Sequence, residues 1–255
     1  AGVVDAQWES LGASALLDRY RPDAAVLAER TDLDVVIEHG GFTRFEIESR
    51  GIQDVGLKAG SYDAAGPDAV EGIDVIALLG PVLDGVRRLD RALAQKSPAS
   101  FGRPSLRASS ISSGTRDPGL PASCVLQVER RLVPGESVSD AENELRSIID
   151  TAGQADPRLR CSLRTLAGRD PVRLEHDAPV VAALIGAAGT ELSRLVPVRG
   201  DRDWMDSGVL IEGGVPCVIF GPTGGREHTA DEWIDLKSVE TSARVYVRLA
   251  ERFCA

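Results

Sequence analysis

An α/β domain assembled from both ends of the chain and interrupted by an α+β insert is the fold this sequence predicts. Three observations carry it. Val215–Phe220 is apolar on both faces and leads towards a helix-period segment, as a strand buried between helix layers does. Phe42–Glu48 alternates instead, with Phe45 and Ile47 on one side and Arg44, Glu46 and Glu48 on the other. That is the pattern of an antiparallel sheet with one wet face. Between these segments, strand- and helix-period runs follow one another without an internal repeat. The α/β part is expected at 1–38 and 167–255, and the insert at 39–166.

In chain order, Ala1–Asp5 reads as the end of a buried strand and Gly12–Tyr20 as a short helix. Ala24–Ala28 and Asp34–Ile37 are apolar runs, and His39-Gly40-Gly41 supplies a turn. Gly51–Gly72 is Gly-, Ala- and Asp-rich and reads as loop. Val70, Ile73, Ala77, Gly80, Leu83, Val86 and Leu89 recur at helical spacing, predicting a long amphipathic helix near 69–95. Gln95–Arg103 is a connector, and Ser105–Ile111 and Cys124–Val133 are strands. Ser139–Ala152 is a helix whose first Ser caps it, with Glu142 three positions on. Arg158–Leu166 closes the insert as a strand, giving the strand-helix-strand-strand-helix-strand order of a ferredoxin-like unit. Pro179–Leu195 and Leu236–Phe253 are helices on either side of the apolar strand at Val215–Phe220. The sheet of this outer part is expected to be mostly parallel.

Composition narrows the function. The 255 residues carry 29 Lys+Arg against 39 Asp+Glu, a formal charge of −10, and only 4% aromatics. Such a chain repels phosphate backbones and anionic lipid and offers few stacking platforms, which disfavours nucleic-acid and membrane-surface roles. No apolar run approaches the roughly 20 residues that span a bilayer. Cys124, Cys161, Cys217 and Cys254 lack zinc-finger spacing and are expected as buried, reduced thiols. With no leader-like segment at an N-terminus that opens without Met, the expected compartment is the cytosol.

Two segments hold candidate chemistry. Phe220-Gly221-Pro222 leads into Gly224-Gly225-Arg226-Glu227-His228, a Gly-rich loop bearing a lone His after a buried strand. Imidazole is the commonest transition-metal ligand; a surface-loop His beside solvated acids is the plainer alternative. Val26–Thr31 places Glu29 just after another apolar strand. Sites in α/β sheets gather at the carboxyl ends of strands, so Glu29 and His228 could share one crevice.

Taken in order, six short segments carry a resemblance. Asp5-Ala6-Gln7-Trp8-Glu9-Ser10-Leu11-Gly12 sits where a D-E-E-x-x-S-x-G segment would, Ala28-Glu29-Arg30-Thr31 at an E-P-T, and His39-Gly40-Gly41-Phe42 at an H-K-G-F. Glu129-Arg130-Arg131-Leu132-Val133-Pro134-Gly135-Glu136 matches E-R-R-x-x-P-G-E, and Met205-Asp206-Ser207 with Gly214-Val215-Pro216 is similar to T-D-A…G-I-P. His228-Thr229-Ala230-Asp231-Glu232-Trp233 matches H-T-A-D-E-W. The chain thereby resembles the C-terminal two-thirds of the M20 metallopeptidase/deacylase family. The resemblance implies part of a zinc-peptidase α/β domain, with the insert as a lid and dimerisation domain. It implies hydrolysis of N-acyl amino acids or small peptides by two zinc or cobalt ions that share a water, whose proton a Glu removes. Glu29 and His228 would be metal ligands. Arg169 would grip a substrate carboxylate, although an exposed loop Arg is an equal reading.

The match breaks at the chemistry. Ala6 and Gln7 occupy the two positions where the resemblance expects the general base and a metal-ligating acid. The insert's A-H-G-S is absent, with Gln53, Asp54 and Val55 in that region, and the family's upstream H-x-D and bridging Asp have no counterpart. Loss of a general base costs about 10²–10⁴ in rate. The expected function is therefore a catalytically impaired or inactive homologue acting in binding or assembly, with weak or absent zinc or cobalt binding. Its expected partners are a second copy through the insert, or a second polypeptide completing the α/β domain. A small N-acyl amino acid or peptide is the ligand the resemblance allows. The alternative is the C-terminal part of a split, truncated or mutated two-metal amidohydrolase.

Overall fold

The computed structural model describes residues 10–51, 73–96, 102–114 and 121–255. Their backbone hydrogen bonds build, in order, α1 (Leu11–Arg19), β1 (Ala25–Leu27), β2 (Val35–His39), β3 (Gly41–Arg50), α2 (Val75–Leu93), β4 (Ser105–Ser113), β5 (Ser123–Leu132) and α3 (Val138–Ala155). There follow β6 (Arg160–Arg169), β7 (Val172–Arg173), α4 (Pro179–Leu192), β8 (Val198–Asp201), α5 (Ser207–Glu212), β9 (Cys217–Ile219), β10 (Gly224–Gly225), β11 (Trp233–Ile234) and α6 (Leu236–Phe253). The chain divides into two compact units. One comprises Ala1–Gly41, Ala99–Gly102 and Pro171–Ala255, the other Phe42–Pro98 and Arg103–Asp170. The expected strand at Ala1–Asp5 and the loop after Gly51 lie outside the described residues.

In the first unit, β1 runs parallel to β9, with Ala25, Val26 and Leu27 opposite Cys217, Val218 and Ile219. Strand β2 runs parallel to β8 but antiparallel to β9 and β7. The sheet is thus mixed rather than mostly parallel. The cause is the link from β1 to β2: Asp32 and Leu33 both turn in the left-handed region (φ 58 and 63), reversing the chain within a few residues. A parallel return needs a crossover of about a dozen residues or more. Along β9 the side chains alternate between two cores. Val218 joins Val35, Val181, Leu184, Val245 and Leu249 beneath α4 and α6. Cys217 joins Leu17, Leu210 and Val215 beneath α1 and α5.

Several boundaries moved from their sequence positions. Ser193 takes a left-handed φ of 50 and ends α4 at Leu192, short of Leu195. His39 is the buried last residue of β2 rather than part of a turn, because the Gly40 amide donates to the Asp201 carbonyl (3.0 Å) and extends the pairing with β8. Cys124 and Cys217 are buried thiols as expected, whereas Cys161 is half-buried and Cys254 exposed.

The second unit is a four-stranded sheet in the order β4-β5-β3-β6, with β4–β5 and β3–β6 antiparallel. Val75, Leu79, Val82, Val86 and Leu93 of α2, and Ala141, Leu145 and Ala152 of α3, bury one helical stripe each against Phe45, Ile47, Leu126 and Val128. The described part of α2 starts at Val75, where Asp74 accepts the amides of Ile76 and Ala77 (3.1 and 2.9 Å). The cap of α3 is Ser137, not Ser139. Its hydroxyl accepts the Asp140 amide (3.0 Å) while Asp140 accepts the Ser137 amide (3.1 Å). Asp140 therefore fills the capping-box place that the sequence reading gave to Glu142.

The E-R-R-x-x-P-G-E match is a structural tie. Arg130 has its side chain 1% exposed, paired with Glu136 at 2.9 Å and Glu144 at 3.5 Å. Glu136 also accepts the Val133 amide (3.3 Å) and pairs with Lys96 (2.9 Å), closing a turn in which Gly135 sits at φ +95. Removing the guanidinium would leave two carboxylates without their buried counter-ion. Arg130→Ala is expected to cost about 3–5 kcal/mol, read as a lowered urea midpoint.

Candidate functional site

The parallel pairing of β1 with β9 brings the loops that follow them side by side. Gly221 is held on the Thr31 hydroxyl, which accepts its amide (2.9 Å) and donates to its carbonyl (3.2 Å). The Leu33 amide donates to the Gly221 carbonyl (3.0 Å), and the Asp32 amide to the Pro222 carbonyl (3.2 Å). A side-chain carbon on Gly221 would overlap the Glu29 carbonyl oxygen and stand 2.9 Å from its carbon, so only glycine fits. Arg30 bridges the loops further out, pairing with Glu227 and with Asp32 (2.8 Å).

The His228 loop is shaped by its own hairpin. Gly224 and Gly225 pair with Ile234 and Trp233, and the Trp233 indole packs 3.0 Å from where a Gly225 side chain would start. Within it, Arg226 and His228 both take left-handed φ values (58 and 62), and the Thr229 amide and hydroxyl both donate to the Arg226 carbonyl (3.2 and 2.7 Å). Non-glycine residues held at positive φ concentrate at functional sites, and here both facing loops hold them.

Glu29 keeps solvent access, yet its carboxyl is raised above the ordinary Glu value. Desolvation is the largest cause, followed by the negative charge of Asp206; His228 opposes the rise, while Asp201 and Glu232 add to it. The structure thus brings Glu29 and His228 into one electrostatic neighbourhood and adds three acids that were not named as site residues. Asp206 is 5% exposed and accepts the Ser10 hydroxyl at 2.6 Å, tying the Ser of the first motif to the Asp of the fifth. Beside it, fully buried Ser207 meets fully buried His39 (Oγ to Nε2, 2.9 Å). His39 Nδ1 lies 2.8 Å from the Gly40 carbonyl, which can only accept. The neutral ring therefore carries its proton on Nδ1, and Nε2 accepts from Ser207. Burial lowers the His39 pKa, and the Trp204 ring packs edge-on at 6.1 Å.

Arg169 ends β6 in the second unit, half-buried, and donates to the Gly168 carbonyl (3.1 Å). Ala6 and Gln7 lie outside the described residues. A groove of about 490 Å³ between α2 and α3 is lined by Arg88 and otherwise by apolar or hydroxyl residues, without an acid, thiol or imidazole. Among the described residues no group of three or more His, Cys, Asp or Glu is placed to hold a metal ion, and no helix is long and apolar enough to cross a membrane.

The model of peptidase family M20/M25/M40 matches residues 7–252. The chain belongs to that family. Among M20 relatives, acetylornithine deacetylase of Yersinia pestis is 24% identical over 240 residues, covering 92% of this chain and 57% of its own. A probable carboxypeptidase of Ajellomyces capsulatus is 26% identical over 231 residues, covering 89% and 48% respectively. The chain thus spans about half the length of the curated relatives it matches. In fold it is similar to aminopeptidase PepT from Bacillus cereus, with a TM-score of 0.72 at 14% identity over 96% of this chain and 61% of that one. It is likewise similar to the Bacillus subtilis YXEP protein, described as a dinuclear metal binding peptidase from the M20 family, with a TM-score of 0.63 at 15% identity over 94% and 61%. The mixed α/β architecture is that of M20 peptidase domains.

Two outcomes test this site. Gly221→Ala is expected to destabilise the chain by about 3 kcal/mol or more, because backbone rather than a movable side chain blocks the new carbon. A raised carboxyl favours the protonated folded form, so the Glu29 penalty sets in as pH rises above the ordinary value of 4.5. Glu29→Gln should therefore raise the melting temperature at pH 7, and the gain should vanish as pH falls below that value.

Proposed function

We propose that this chain is an M20-type hydrolase homologue that does not turn over amides by itself and acts through binding or assembly. The observation that carries the reading is the acid pair of the first motif, replaced by Ala6 and Gln7. Alanine cannot take a proton from water, and a neutral amide is a far poorer ligand than a carboxylate. Glu29 and His228 are the residues we assign as remaining metal ligands. Two ligands do not hold a pair of ions, and the described residues supply no third at the right place. They do not fit a dinuclear centre, so any zinc or cobalt bound by Glu29 and His228 alone is held weakly.

The βαββαβ order and the β4-β5-β3-β6 sheet support a ferredoxin-like lid in the second unit. Its β4 edge is Ser-rich and, beyond Leu106, exposed, which suits pairing with a second copy. We assign Arg169 to a substrate carboxylate, as in an N-acyl amino acid or short peptide, and place the protein in the cytosol. A second reading, part of a split or truncated amidohydrolase, draws on the 57% coverage of acetylornithine deacetylase. Under it, another polypeptide would complete the α/β domain.

An assay of the purified chain with zinc or cobalt against a panel of N-acyl amino acids, acetylornithine included, tests the proposal. No turnover above the metal-only control is expected. Turnover abolished by a chelator and by His228→Ala would overturn it.

A further inference from the structure

Helices α2 and α3 of the second unit leave an apolar groove between them that the candidate site does not use. Its floor is Gly85 and Leu89 of α2 with Ile148 and Ala152 of α3, all buried or half-buried. Gly85 leaves room for the Ile148 side chain, whose Cγ2 would stand 2.4 Å from a carbon added there. Above the floor the walls are exposed, and on α2 they run from Pro81 to Ala92, about 16 Å of helix.

One charge reaches this groove. Arg88 stands exposed on its wall and, among the described residues, has no carboxylate partner. Acids of both helices are engaged or turned elsewhere. Asp84 pairs with Arg87 (3.5 Å), Asp90 accepts the Leu106 amide (2.9 Å), and Glu142 and Glu144 pair with Arg146 and Arg130. Asp150 is two residues from both Ile148 and Ala152, which at about 100° per residue puts it on the opposite side of α3. An apolar trough with one uncompensated guanidinium on its wall complements a molecule that is apolar along its length and anionic at one end.

We infer that this groove binds a medium-chain fatty carboxylate, its head group on Arg88 and its alkyl chain along Leu89, Ile148 and Ala152. At about 490 Å³ the groove falls within the roughly 300–1,000 Å³ of small-molecule pockets. A folded protein is the poorer occupant, because a stable interface takes about 800 Å² from each partner, more than a trough of this size offers. The groove shares no residue with the candidate site, so its occupancy is independent of any turnover there.

Decanoate, kept below its micelle concentration, is titrated into the full chain and followed by calorimetry and by amide chemical shifts. Saturable binding is expected, with the largest shifts in residues 81–92 and 147–155. Each methylene taken from water is worth up to about fourfold in affinity, so hexanoate should bind about tenfold or more weakly. Decanol, which keeps the chain without the charge, should also lose about tenfold, as should decanoate on Arg88→Glu. Ala92→Phe, at an exposed wall position, should obstruct the trough and weaken decanoate by about as much. Arg91→Glu makes the same charge change on α2 outside the groove and should cost less than about threefold. No saturable binding, equal affinity for decanol, or an Arg91→Glu loss as large as that of Arg88→Glu overturns the inference. So do shifts centred on other elements, which would place decanoate elsewhere on the chain.

Discussion

The clasp between Thr31 and Gly221 is the constraint on which the candidate site depends. Strand pairing alone aligns β1 with β9 only as far as Leu27 and Ile219. Beyond that point the Thr31 hydroxyl, with the Asp32 and Leu33 amides, holds the two loops together. One buried hydroxyl, donating and accepting at the same glycine, carries the alignment two residues further and brings Glu29 against the Gly221 backbone. The arrangement needs a residue without a side chain on one strand and a small hydroxyl on the other. Both sit inside short motifs of the sequence, and their spacing from the strands is what places Glu29 and His228 on facing loops.

Much of what makes the chain recognisable as an M20 protein is structural rather than chemical. Arg130 and Glu136 hold a turn and a helix start inside the second unit, far in sequence from any acid of the candidate site. Ser10 and Asp206 join helix α1 to the start of α5 through one buried hydrogen bond. His39 and Ser207 do the same for the end of β2. Such signatures therefore have a reason to persist that is independent of any chemistry at the site. The scaffold must satisfy its buried polar groups whether or not the site performs chemistry.

The long periodic elements were legible from sequence. Helix α6 starts and stops where its apolar period does, and the alternation at Phe45 and Ile47 correctly marks the buried face of β3. Glu29 and His228 stand out in the sequence because each follows an apolar strand, and what the structure adds is that the charge of His228 acts on Glu29. Strands β7, β8, β10 and β11 were not: they span two to four residues and take their shape from neighbours rather than from a pattern of their own. The direction of β2 was hidden for a similar reason. It hinges on Asp32 and Leu33 adopting positive φ, which no propensity signals in a leucine. Asp201, Asp206 and Glu232 were not taken as site residues because their weight at Glu29 arises from approach in space of residues far away in sequence.

The three cores share no fully buried residue, although Ile211 packs against both the second and the third. Phe45, Leu79 and Leu145 belong to one, Val35, Val218 and Leu249 to another, and Leu17 and Cys217 to the third, and the first lies wholly in its own unit. Cooperativity in unfolding comes from shared burial, and each unit buries a core of its own, so the melting of each is worth following by itself. Damage to the sheet that carries Glu29 could pass unnoticed by a probe that reports on the helices of the other unit, and hydrogen exchange resolved by segment would separate the two.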